Sequence, residues 1–166
     1  MDVRQAIAAF DGRHPDVLKA AVAAGIDNDD RAVLSAAMTR PEDAVAASWI
    51  IKAVLERQAA DPVGAPAYFA ALSQELPWQA HLHVLQSVRL APEAATGCAD
   101  LISRFLTHER ALLRVWAMDG FCRLAGLDPS LRAAARSAFS AQSVGGAAAM
   151  QARCRNLAAE YPWLQT

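Results

Sequence analysis

The segment Ala117-Met118-Asp119-Gly120-Phe121-Cys122-Arg123 returns as Ala149-Met150-Gln151-Ala152-Arg153-Cys154-Arg155, with four identities in seven. After one inserted residue Leu124-Ala125 answers to Leu157-Ala158. Going backwards, Val115-Trp116 aligns with Leu82-His83 and with Ser48-Trp49, so neighbouring copies lie 34, 33 and 32 residues apart. A period of that size belongs to a supersecondary unit that cannot bury its apolar face alone and stacks on its neighbours. This restricts the chain to architectures built by repeating a short unit.

The unit is a pair of helices. Of 166 residues, 39 are alanine, the best helix former, which leaves little material for a sheet. Helical patterns mostly follow Pro15, Pro41, Pro62, Pro66, Pro77, Pro92 and Pro129, as suits proline in a first turn. Asp27-Asn28-Asp29-Asp30, Pro41-Glu42-Asp43 and Asp128-Pro129-Ser130 supply caps and first-turn acids. Gly25, Gly126 and the Gly145-Gly146 pair punctuate helix ends or linkers. These signals predict ten helices, over 2–11, 15–24, 29–39, 42–60, 65–75, 78–90, 94–107, 109–125, 129–141 and 146–160. Short connections make successive helices antiparallel neighbours, about five hairpins in all.

Aligned columns turn the repeat into packing. Ala53, Ser87, Gly120 and Ala152 are small, which lets helix layers approach closely. Ile51, Leu85, Met118 and Met150 form an aliphatic column, as do Val54, Val88 and Phe121. The latter column ends in Arg153, which suits a terminal cap with an outer face in solvent.

The best unit is Leu101-Ile102-Ser103-Arg104-Phe105-Leu106, a polar turn at Thr107-His108-Glu109, then Leu112-Leu113-Arg114-Val115-Trp116-Ala117, closing with Leu124-Ala125. It resembles a HEAT or armadillo-type repeat, with a leucine-rich first helix and a second helix carrying a hydrophobic-Arg step. Arg114 matches that arginine, whereas Ala47, His81 and the fourth repeat do not clearly reproduce it. The resemblance implies an all-α domain over 1–166, an α-α superhelix or right-handed solenoid of about five antiparallel hairpins. Residues 1–28 form an irregular first pair, 29–160 the repeats and 161–166 a tail. The family's second helices commonly line a concave face that holds another macromolecule. It implies no particular chemistry.

Chemistry-bearing motifs are sparse. Cys98, Cys122 and Cys154 lack metal-ligand or disulfide spacing and read as buried thiols in a reducing cytoplasm. His81 and His83 stand two apart on a helix, pointing about 200° away from each other, so they cannot chelate one ion together. No phosphate-binding glycine loop, nucleophile elbow or metalloprotease motif is present. The expectation is a protein with no catalytic residue, cofactor or metal. No stretch approaches the ~20 apolar residues of a membrane span, and the Met1-Asp2-Val3-Arg4-Gln5 start is not that of a signal peptide. Together with the alanine and arginine usage, this points to a bacterial cytoplasmic protein.

The polar column is the candidate partner-binding stripe. Lys52, Gln86, Asp119 and Gln151 are followed four residues on by Glu56, Leu90, Arg123 and Arg155. Residues four apart share a helix face, so Lys52 with Glu56 and Asp119 with Arg123 are placed to pair. With Arg114, these polar residues either read a protein or peptide partner or form a solvated face laced with ion pairs.

Charge is polarised around a net of −1. Residues 1–100 carry 8 Lys/Arg against 13 Asp/Glu, a net of −5, and residues 101–166 carry 8 against 4, a net of +4. Such ends favour self-association, acidic N-terminal region to basic C-terminal region. Nucleic-acid binding is the alternative. Trp116 and Asp119 resemble the aromatic-and-aspartate pairing of the HEAT-like bacterial alkylpurine DNA glycosylases. Against it stand only two lysines and a negative net charge, because DNA affinity needs several phosphate-neutralising cations on one surface.

Overall fold

A computed structural model describes residues 1–57, 64–144 and 148–165. Among them ten α-helices and several 3-10 turns account for all regular structure, and there is no strand. The helices are α1 (Val3–Ala9), α2 (Asp16–Ala24), α3 (Asn28–Ala37), α4 (Pro41–Glu56), α5 (Ala65–Ala70), α6 (Trp78–Ser87), α7 (Ala99–Ser103), α8 (Ala111–Leu127), α9 (Arg132–Ser143) and α10 (Ala148–Glu160). The last residues expected of the 42–60 helix, the first two of 146–160, Pro62 and Gly145-Gly146 lie outside the described residues.

The caps are the ones the sequence announces. Asp27 and Asp30 form a reciprocal capping box on α3, satisfying two otherwise orphaned N–H groups. Pro41 opens α4, and Asp128 accepts from the Ser130 amide at 2.9 Å. Gly25 closes α2 at φ +97°, a conformation that a Cβ would strain.

Three expectations fail locally, the first being the helix over 65–75, which is α5 followed by a 3-10 turn at Ala71–Ser73. The single helix over 94–107 is three pieces: a 3-10 turn at Glu93–Cys98, the short α7, and a 3-10 turn at Arg104–Thr107. Here the Thr96 and Ser103 hydroxyls bond back to the carbonyls of Glu93 and Asp100, three residues earlier, offering the backbone an alternative to a regular helix. Gly126 does not end a helix but lies inside α8.

The chain divides into two compact units, Met1–Ala91 and Pro92–Thr166. In the first, α4 packs on α1, α2, α3 and α6, burying Ala44, Ala46, Ala47, Ser48, Ile50, Ile51 and Val54. In the second, α8 packs on α7, α9 and α10 and buries residues on every side from Leu113 to Ala125. Both are central helices, which is why neither shows a clean polar face. The aliphatic column Ile51, Leu85, Met118 and Met150 is buried throughout, each side chain worth roughly 1.5–3 kcal/mol of burial.

Candidate interaction surface

The eight candidate partner-binding residues differ in burial and in what they pair with. On α4, Lys52 lies 3.1 Å from Glu56, which also accepts from Arg89 at 3.3 Å, so Glu56 links α4 to the end of α6. Gln86 is half-buried on α6. Arg114 turns back on its own helix start, donating to the carbonyls of His108 at 2.7 Å and Glu109 at 2.8 Å.

Asp119 has no exposed surface at all. Its Oδ2 accepts from Arg123 Nε at 2.8 Å, and its Oδ1 from Arg123 Nη2 and Arg153 Nη1, both at 3.4 Å. Arg123 Nη1 also donates to Glu160 Oε1 at 2.9 Å. Burial alone would lower the Arg123 pKa, but hydrogen bonds and charge from Asp119 and Glu160 outweigh it and raise it. The guanidinium of Arg153 lies 4.1 Å from the centre of the Trp116 ring. Arg153 therefore does not simply face solvent as a capping residue. It turns onto α8, where Asp119 and Trp116 receive it, and α10 is tied to α8 by charge.

A second buried network, missed in the sequence, lies in the first unit. His83 Nδ1 meets Ser48 Oγ at 2.9 Å, and Ser87 Oγ donates to the His83 carbonyl at 2.8 Å. The Tyr68 hydroxyl lies 3.2 Å from Ser87 Oγ and donates to the Ser48 carbonyl at 3.3 Å. Burial first, then the charge of Lys52, lowers the His83 pKa to about 4, so the ring is neutral near pH 7. Burial likewise raises the Tyr68 pKa. A hydroxyl–imidazole pair is the start of a nucleophile, but Ser48 is fully buried. What the pair does is connect α4 to α6, with Tyr68 of α5 joined to both through the Ser48 carbonyl and Ser87. The available signal was Ser48 and Ser87, two serines on otherwise apolar faces of the repeat.

His81 Nε2 meets the Gln74 carbonyl at 3.1 Å, on a different partner from His83, as their spacing requires. Among the described residues no group of three or more metal-ligating side chains comes together. All three cysteines are free and buried, and burial pushes the Cys122 thiol up to about 12.

Besides the ion-paired Glu56, the candidates that remain exposed are Gln151 and Arg155. They stand one turn apart on α10 and line a groove of about 360 Å³ with Phe139 and Ser143 of α9, Cys154 and Ala158 of α10, and Gln165. A groove of about 380 Å³ in the first unit differs in charge: Arg4 and Arg40 line it together with Asp29. In the α9–α10 groove the sole charged lining residue among those described is Arg155.

Among the described residues no helix is long and apolar enough to cross a membrane. No known protein family, no curated protein and no solved structure matches the chain.

Proposed function

We propose that the chain is a non-catalytic protein- or peptide-binding adaptor, a HEAT-like stack of helical hairpins that holds its partner on second-helix faces. The α9–α10 groove carries this reading. It is open, largely apolar, and lined by Gln151 and Arg155, which apart from the ion-paired Glu56 are the candidates left exposed. Concave, mostly apolar sites with a few polar groups are the usual geometry of recognition. The period near 33 residues and the buried aliphatic column support a repeat stack.

Nucleic-acid binding is less well supported, because four of the eight arginines of the second unit are engaged within it. Arg114 holds carbonyls, Arg123 and Arg153 hold Asp119, and Arg132 donates to the Ala125 carbonyl and covers Trp163. Phosphate binding needs several cations gathered on one surface, and the α9–α10 groove is lined by one, Arg155.

The test is cross-linked capture from native lysate, comparing wild type with a Gln151→Ala, Arg155→Glu variant shown by circular dichroism to be folded. Partners captured by wild type alone support the adaptor reading at this groove. Equal capture by both places the partner elsewhere. Capture of nucleic acid that weakens steeply with salt favours the alternative.

A further inference from the structure

Resting on the adaptor reading, we infer that the α9–α10 groove takes an acidic amphipathic segment of a partner protein. The segment's apolar side chains sit against Phe139 and Ala158, and its carboxylates meet Arg155 and Arg136.

Shape gives the first half. The groove runs between two helices, and its floor combines the Phe139 ring with the small Ala158 and the buried Cys154. An open groove between two helices with apolar side chains in its lining is what an amphipathic helix covers with its apolar face, anchored by residues three and four apart.

Charge gives the second half. Arg155 is exposed on the α10 wall. Arg136 is half-exposed on α9 and shares a helix face with Phe139 and Ser143, three and seven residues on. Neither arginine makes an ion pair among the described residues, unlike Arg123 and Arg153, which are held by Asp119. No acidic side chain is among the described lining of the groove. An occupant with acidic flanks satisfies both guanidiniums, and a basic one places like charges together, which suppresses wrong partners. Gln151 and Gln165 at the rim provide neutral donors and acceptors for its backbone.

The test is selection of a random phage-displayed peptide library on the immobilised full chain, followed by titration of the enriched peptides. The expected consensus mixes acidic residues with apolar ones at helical spacing. Its affinity is expected to fall at least about tenfold on Arg155→Glu and on Phe139→Ala, and less on Arg155→Lys. A basic or uncharged consensus overturns the inference, as does an acidic one indifferent to both variants, or the absence of any enriched peptide. In those cases lysate capture that still depends on Gln151 and Arg155 leaves the adaptor reading standing, and a wild-type chain that captures no protein removes both. Sedimentation covers the remaining occupant: an assembly of the chain with itself that Arg155→Glu dissolves places a second copy in the groove and overturns the inference.

Discussion

Arg123 Nε donates to Asp119 Oδ2 at 2.8 Å, one turn along the same helix, although Asp119 has no surface exposed to solvent. The two ends of this ion pair are not equivalent. The Arg123 side chain retains 16% exposure and a second carboxylate, Glu160, whereas Asp119 depends on Arg123 and on Arg153 at 3.4 Å. Arg123→Ala therefore strands a buried carboxylate, and its expected cost is about 3 kcal/mol. Asp119→Asn keeps an acceptor of the same shape while both arginines retain access to water, so about 1–2 kcal/mol is expected. Urea unfolding of the two variants checks the order. Equal costs, or a larger cost for Asp119→Asn, would contradict the account.

His83 sets a pH dependence in the first unit. Burial, followed by the charge of Lys52, lowers its pKa from 6.5 to about 4, against the opposing influence of the Val45 carbonyl and Glu56. The unfolded chain then binds more protons than the folded one between these values, so stability rises with pH. The contribution is complete above pH 6.5 and is lost as pH falls toward 4, amounting to about 3 kcal/mol. His83→Gln keeps a neutral hydrogen-bonding group that does not titrate. Unfolding midpoints collected across this window are expected to slope less for the variant than for wild type. Parallel slopes would remove His83 from the explanation.

The sequence exposed the helices far better than it exposed what their polar residues do. Caps are local, so Asp27 with Asp30, Pro41 and Asp128 were readable from a few neighbouring residues. The buried aliphatic column was readable because Ile51, Leu85, Met118 and Met150 recur at the repeat spacing. The polar column was different. Its alignment placed Lys52, Asp119 and Gln151 in one register, yet the first is paired, the second buried and the third exposed. Burial of a charge depends on which residue of another helix meets it, here Arg153 from 34 positions away. Ser48 and His83, 35 apart, escaped for the same reason. The groove was half legible: Gln151 and Arg155 were candidates, but Phe139 belongs to the helix before them and no motif joins the three.

Glu56 tests how much the ion pairs of the first unit contribute. It meets Lys52 at 3.1 Å and Arg89 at 3.3 Å, but its side chain and that of Arg89 are each 38% exposed. Pairs this open to water are screened and have to order long side chains. Glu56→Gln is therefore expected to cost less than about 1 kcal/mol in urea unfolding, with a smaller effect still at high salt. A loss as large as that expected for Arg123→Ala would mean that Glu56 is far less solvated than its exposure indicates.

Gly126 and Tyr161 form a close approach whose energetic sign depends on both residues. A glycine inside a helix ordinarily gains up to about 1 kcal/mol on replacement by alanine, because alanine loses less backbone entropy on folding. Inside α8, however, a Cβ on Gly126 would stand 2.8 Å from Tyr161 Cε1 and 3.4 Å from Cδ1. The ring must move for alanine to fit. It is held by what surrounds it: Tyr161 follows α10 directly, its amide donates to the Leu157 carbonyl at 2.7 Å, and its ring lies 5.9 Å from that of Trp163. Gly126→Ala is accordingly expected to forfeit the usual gain and to destabilise the second unit. In a Tyr161→Ala background the obstruction is gone, so the same substitution is expected to stabilise by up to about 1 kcal/mol. A double-mutant cycle in urea reads the difference directly, as a coupling between the two positions. Coupling indistinguishable from zero would show that the ring yields freely, leaving the glycine unexplained by the contact.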